Sequence, residues 1–138
     1  MKNEATPARS FKFPKSERLN SKKLIQLLFE EGSHFFLYPF KVYHLRHPDV
    51  GIKAHQVLVT TSSRRYKKAV ERNLIKRRMR EAYRLNKHLV QEVSVKLMIG
   101  YIYVGKEIHD FSLIRDKLKE TLVRLTSKHN IKSPDKNE

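Results

Sequence analysis

The chain has 138 residues, enough for one compact domain with its own core and too few for two. Thirty Lys and Arg against fourteen Asp and Glu give a formal charge of +16, a self-repulsion that a polyanionic partner would offset, with nucleic acid the leading candidate. The lack of Cys excludes disulfides and thiolate chemistry, no apolar run nears the ~20 residues of a spanning helix, and with no signal peptide or lipidation motif legible a cytoplasmic location is expected.

Residues 1–15 and 127–138 are polar and aperiodic and read as flexible tails, leaving 16–126 as the folded domain. The first element is a helix from Ser21 to Glu31, with Asn20 or Ser21 as its cap and Gly32 suited to a left-handed terminating turn. Leu24, Leu27 and Leu28 share one of its faces, while Ile25 and Phe29 form a second stripe. Two strands follow, Pro39–Arg46 and Gln56–Ser62, joined through a Pro and Gly turn and read as an antiparallel pair.

A helical pattern runs from Ala69 to about Lys87, and the apolar run Val95–Val104 reads as a central buried strand. The last helix, Phe111–Leu125, is capped by Asp110 and lines up Ile114, Leu118, Leu122 and Leu125. The fold class is α+β, a two-layer α/β sandwich in the order α-β-β-(β)-α-β-α, the parenthesis marking room for one more strand. One sheet face is covered by helices and the other is partly open.

Between Arg64 and His88 lie eleven Lys or Arg and two acids, so more than half of the excess charge sits in this segment. At roughly 100° per residue, Ile75, Met79, Ala82 and Tyr83 converge on a docking face. Asn73, Lys76, Arg77, Arg80, Arg84 and Lys87 fall opposite, as a ridge presented to solvent. Guanidinium forks match phosphate oxygens, and an Asn among them can bond a sugar hydroxyl or a base edge. A run of charge is more often a solvated helix face, but few acids stand four residues away to pair with these bases.

The stretch Lys68-Ala69-Val70-Glu71-Arg72-Asn73-Leu74-Ile75-Lys76-Arg77-Arg78-Met79-Arg80-Glu81 resembles the A-V-x-R-N-x-x-K-R-x-x-R-E helix of the bacterial ribonuclease P protein component. Phe13-Pro14-Lys15-Ser16-Glu17-Arg18-Leu19 and Phe29-x-x-Gly32 resemble further parts of that family, and the likeness spans about residues 11–126. It implies a left-handed β-α-β crossover, and a protein that helps a catalytic RNA remove the 5′ leader of precursor tRNA. It also implies that Arg72, Asn73, Lys76, Arg77 and Arg80 contact the RNA subunit. Arg84 extends that ridge, and Arg64, Arg65, Lys67 and Lys68 look like phosphate contacts. Arg72 lies nearer the core side, so its side chain is expected at the helix edge, toward the preceding loop.

A cleft for the single-stranded leader, between the first helix and the open sheet face, is likewise implied. Ile25, Phe29, Phe40, Val42 and Tyr43 are its candidates, although Tyr43 alternates onto the strand face opposite Phe40 and Val42. From the residues alone, Ile25 and Phe29 serve equally well as ordinary core or as a wall on which bases stack. The family pattern commonly has a second Arg after the Asn and a Gly shortly before the helix. Here Leu74 and Lys67 stand at those places, which leaves the shape of the Arg65–Lys68 turn open.

No nucleotide-binding loop or metalloprotease motif occurs, and His44, His47 and His55 read as surface residues rather than ligands. The acids are scattered singly, so no catalytic constellation and no metal site is expected in the chain. Under the resemblance, Mg²⁺ held mainly by the RNA subunit supplies the chemistry. The alternative is a structural RNA-binding protein such as a ribosomal protein. A DNA-binding helix lacks a partner helix at the spacing of a helix-turn-helix.

Overall fold

The computed structural model describes residues 12–129. After a 3₁₀ turn at Lys15–Glu17 come α1 (Lys22–Glu31), β1 (Ser33–Leu37), β2 (Phe40–Arg46), β3 (Gln56–Thr61), α2 (Ala69–Asn86), a second 3₁₀ turn at Lys87–Val90, β4 (Leu97–Tyr103) and α3 (Phe111–His129). Three helices and a four-stranded mixed sheet make an α+β fold, with strands in the order β1-β2-β4-β3.

β2 and β3 are therefore not an antiparallel pair. β4 lies between them, antiparallel to β2 and parallel to β3. The reason is in its composition: every residue of β4 except Ile102 is buried, and a strand apolar on both faces gains most from a central place flanked and covered on all sides. β1 is the additional strand, standing before rather than after the two read from sequence and pairing with β2 across the Tyr38-Pro39 turn.

α2 and α3 cover one face of the sheet over a core that includes Phe40, Val42, Ile75, Met79, Tyr83, Ile99, Tyr101, Ile114, Leu118 and Leu122. Burial of these side chains removes apolar area worth roughly 25 cal/mol per Å². The Tyr101 hydroxyl, buried among them, is satisfied by Thr121 Oγ1 at 2.5 Å, and Thr121 in turn bonds the Leu118 carbonyl. Asp110 accepts from the Leu113 amide at 3.0 Å, which is the cap expected for α3.

α1 packs on the opposite face through Leu28, against Leu19 and Met98. Ser21 is its cap, accepting from the Leu24 amide. Gly32 does not adopt a left-handed turn; it is extended, with φ −75° and ψ 155°. What it supplies is room, since a Cβ there would lie 2.5 Å from the Leu28 carbonyl oxygen.

The folded body also reaches past the expected boundaries. Phe13 packs on Tyr83 with ring centroids 5.3 Å apart, and α3 continues to His129. The remaining segments, 1–11 and 130–138, lie outside the described residues. His44, His47 and His55 are not surface residues either, for all three are buried. His47 Nε2 bonds Gln56 Oε1 at 2.8 Å, and His55 bridges the Val90 carbonyl and the Leu97 amide. These imidazoles satisfy backbone and side-chain groups where the β2–β3 connection crosses the end of β4.

Candidate nucleic-acid interface

The basic helix docks as its periodicity requires. Ile75, Met79, Ala82 and Tyr83 are its buried residues. On the other side Asn73 and Arg77 are exposed and Lys76, Arg80 and Arg84 half-buried, so the ridge exists with one exception. Lys87 turns inward, buried against Glu17, because the helix gives way to a 3₁₀ turn at that residue and its side chain leaves the ridge.

Carboxylates do little to neutralise the row. Arg84 pairs with Glu81 at 2.6 Å, but Lys76, Arg77 and Arg80 take no part in the ion pairs of the described residues. Burial, and then the nearby Arg18 cation, hold the Arg80 guanidinium below its ordinary pKa. An anion placed there would favour the charged guanidinium and so offset both effects.

Before the helix, Arg64, Arg65, Lys67 and Lys68 are all exposed. Their loop is shaped without glycine. Arg72 Nη1 donates to the carbonyls of Tyr66 (2.9 Å) and Lys67 (2.7 Å), the Tyr66 hydroxyl donates to the Gly105 carbonyl, and the Arg65 amide donates to Ser62 Oγ. Arg72 thus points toward the loop, as its angle on the helix implies, and acts as the clamp of the basic loop rather than as one of the ridge cations.

The face under α1 is built from two rows across the sheet. His34, Tyr43, Gly100 and Leu58 are in register in one, and Phe36, Lys41, Ile102 and Thr60 in the next. Phe29 sits edge-on to Tyr43 at 4.7 Å. Gly100 leaves the floor open beneath it, since a Cβ there would meet Leu28 at 3.0 Å and Phe29 at 3.6 Å. Ile25, Phe29 and Tyr43 are half-buried and share this face. Lys41 Nζ lies 5.3 Å from the Tyr43 ring centroid, a cation over an aromatic face.

Phe40 and Val42 are not part of it. Both are fully buried on the α2/α3 side of the sheet, so neither can touch a nucleotide. The alternation Phe40-Lys41-Val42-Tyr43 carried the signal: a lysine shares a face with Tyr43, which marks that face as the open one. Leu24 and Leu27, on the same helix face as Leu28, only partly bury and border a surface depression with Pro48.

Among the described residues no group of three His, Asp or Glu is placed to hold a metal ion, and no helix is long and apolar enough to cross a membrane. An α+β body with a cationic helix on one flank and a half-open aromatic face behind it defines a class of small basic RNA-binding proteins. Comparison narrows that class. The family model described as Ribonuclease P matches residues 13–128. The ribonuclease P protein component of Porphyromonas gingivalis is 35% identical over 120 residues, covering 84% of this chain and 88% of the relative. That of Dictyoglomus turgidum is 30% identical over 119 residues, covering 86% and 93%.

Among solved structures, the RNase P protein of Thermotoga maritima aligns with a TM-score of 0.65 and 29% identity, covering 78% of this chain and 96% of that one. The Staphylococcus aureus RNase P protein shares the fold with a TM-score of 0.66 at 21% identity, covering 84% and 100%. The chain belongs to the ribonuclease P protein component family, RNA-binding proteins of tRNA processing.

Proposed function

We propose that this chain binds the catalytic RNA subunit of ribonuclease P through the α2 ridge and its preceding loop, and the 5′ leader of precursor tRNA on the α1 face. The observation that carries the reading is the cationic row Lys76, Arg77 and Arg80, which takes no part in the ion pairs among the described residues and is set opposite a fully buried stripe. Asn73 and Arg84 flank that row, Arg64, Arg65, Lys67 and Lys68 extend it, and Arg72 holds the loop in shape. Such a surface exchanges condensed counterions for fixed cations, which screens phosphate repulsion between two RNAs. Ile25, Phe29 and Tyr43 offer ring and aliphatic surfaces for unpaired bases, without sequence preference.

In this reading the chain contributes binding and orientation to an endoribonuclease whose chemistry lies in the RNA. Mg²⁺, held mainly by that RNA, would supply the activation of the attacking water, and the complex would work in the cytoplasm. The test is cleavage of a precursor tRNA by a bacterial ribonuclease P RNA at low Mg²⁺, with and without this chain. Restored cleavage is expected. An RNA left as slow as before would return the chain to the structural RNA-binding proteins.

A further inference from the structure

Three aromatic side chains follow one another at the end of the sheet, from the margin of the α1 face outward. Phe36 is 59% exposed and Tyr38 38% exposed. Ring centroids are 6.3 Å apart between Phe36 and Tyr38 and 5.5 Å apart between Tyr38 and His109. Side chains of this size are seldom left in water as a group without a role.

Tyr38 and His109 are held in place rather than loose. The Tyr38 hydroxyl accepts from the Lys106 amide at 3.2 Å and lies 3.0 Å from His109 Nε2. The backbone of His109 is fixed on both sides, its amide donating to the Tyr103 hydroxyl and its carbonyl accepting from Arg78 Nη1. The planes are inclined, by 59° between Phe36 and Tyr38 and 82° between Tyr38 and His109, so each ring offers a face of its own, and a ring held in this way loses little freedom when a base settles on it.

Position and charge indicate the partner. Phe36 belongs to the second row of the α1 face, in register with Lys41, so the line of rings continues the surface that holds Phe29 and Tyr43. At its far end Tyr66 ties the basic Arg64–Lys68 loop to Gly105, next to Lys106. Lys41 pairs with Phe36 across the strands, Arg78 donates to the His109 carbonyl and the Lys106 amide donates to Tyr38; of the acids next to them in the chain, Asp110 is committed to the cap of α3. A strip of aromatic faces edged with cations suits single-stranded RNA, whose bases stack while its phosphates meet the lysines.

We propose that Phe36, Tyr38 and His109 form a stacking platform for unpaired nucleobases, extending the leader track from the α1 face toward the basic loop. The proposal rests on the leader reading above and adds its direction and length.

The test is binding of precursor tRNA to the reconstituted holoenzyme, with the leader lengthened one nucleotide at a time. For Phe36→Ala, short leaders should bind as they do to the unaltered protein, and beyond a threshold length affinity should fall by about tenfold for the lost stack. Phe36→Trp should restore it. Equal loss at every length, or no loss at any length while Phe29→Ala does lose leader preference, overturns the platform and leaves the track. Should neither variant affect the leader, the track reading has failed. Titration of the full chain with an oligouridylate then decides: shifted ring resonances of Phe36 and Tyr38 keep the platform, and unmoved ones remove it.

Discussion

Lys87 Nζ meets Glu17 Oε1 at 2.8 Å, with 3% of the lysine side chain and 20% of the glutamate exposed. The same ammonium donates to the Lys12 carbonyl, so one residue at the end of α2 anchors the whole segment that leads into α1. Glu17→Gln would leave a buried cation without its counter-charge, and a loss of about 3 kcal/mol in urea unfolding is expected. Lys87→Met keeps the aliphatic stem and should cost less, because Glu17 retains access to water. Neither change should alter the salt dependence of RNA binding. A shallower slope for Lys87→Met would put Lys87 back on the ridge.

The ridge itself makes the opposite prediction. Arg77→Ala combined with Arg80→Ala should leave the unfolding midpoint nearly unchanged, while the slope of log K against log salt for the RNA subunit drops by about 1.5, two phosphate contacts' worth of counterion release. Arg84→Ala should change it less, since its guanidinium is already shared with Glu81. Titrations across a range of salt concentrations read this directly, and an unchanged slope in the double variant refutes the ridge.

Periodicity made the helices legible because each buries a stripe: Ile75, Met79, Ala82 and Tyr83 were placed by angle alone, and the structure buries all four. Strand neighbours were not legible in the same way. The apolar run of β4 announced a central strand, yet nothing local to β2 or β3 says that a segment some forty residues later inserts between them, because pairing is decided by which strand most needs both edges covered. β1 was missed since Phe35-Phe36-Leu37 shows neither alternation nor a turn signal after Gly32. Lys87 was misplaced for a related reason. Its partner Glu17 is seventy residues away in the chain, and a wheel drawn on one helix cannot show that the helix ends or what waits beyond it. At the aromatic face the alternation of β2 is readable in the sequence, and Lys41, two residues from Tyr43, marks the side that stays open.

Burial separates two phenylalanines, Phe29 half-buried and Phe40 fully so. Phe29→Ala should reduce the preference of the holoenzyme for leader-bearing over mature tRNA by roughly 1–3 kcal/mol, the contribution of one stacked base, with a modest effect on stability because Phe29 is only half-buried. Phe40→Ala should do the reverse: it opens a cavity beside Tyr101 and Tyr103, costs about 3–5 kcal/mol of folding free energy, and weakens both tRNAs alike wherever the protein stays folded. Paired binding curves for the two substrates, with urea unfolding of each variant, distinguish the cases. A leader-selective loss for Phe40→Ala would contradict its burial.

The clasp between β2 and the end of α3 should make the protein sensitive to acid. His44 Nδ1 and His129 Nε2 are 2.7 Å apart, and a hydrogen bond between two imidazoles needs one nitrogen without its proton. Burial, followed by His129, Lys128 and His34, lowers the His44 pKa from the ordinary 6.5 to about 4, and burial lowers that of His129 as well. The unfolded chain therefore takes up a proton near pH 6.5 that the folded chain refuses until about pH 4. Stability is unaffected by this group above the upper value and is lost as pH falls between the two, by up to about 3 kcal/mol from His44. His55, whose pKa burial also lowers, adds in the same direction. Thermal unfolding followed from pH 7 to pH 4 should show a falling midpoint, and His44→Leu should flatten that fall even if it lowers the value at pH 7. Parallel curves for the two proteins would mean that the acid sensitivity arises elsewhere than at the clasp.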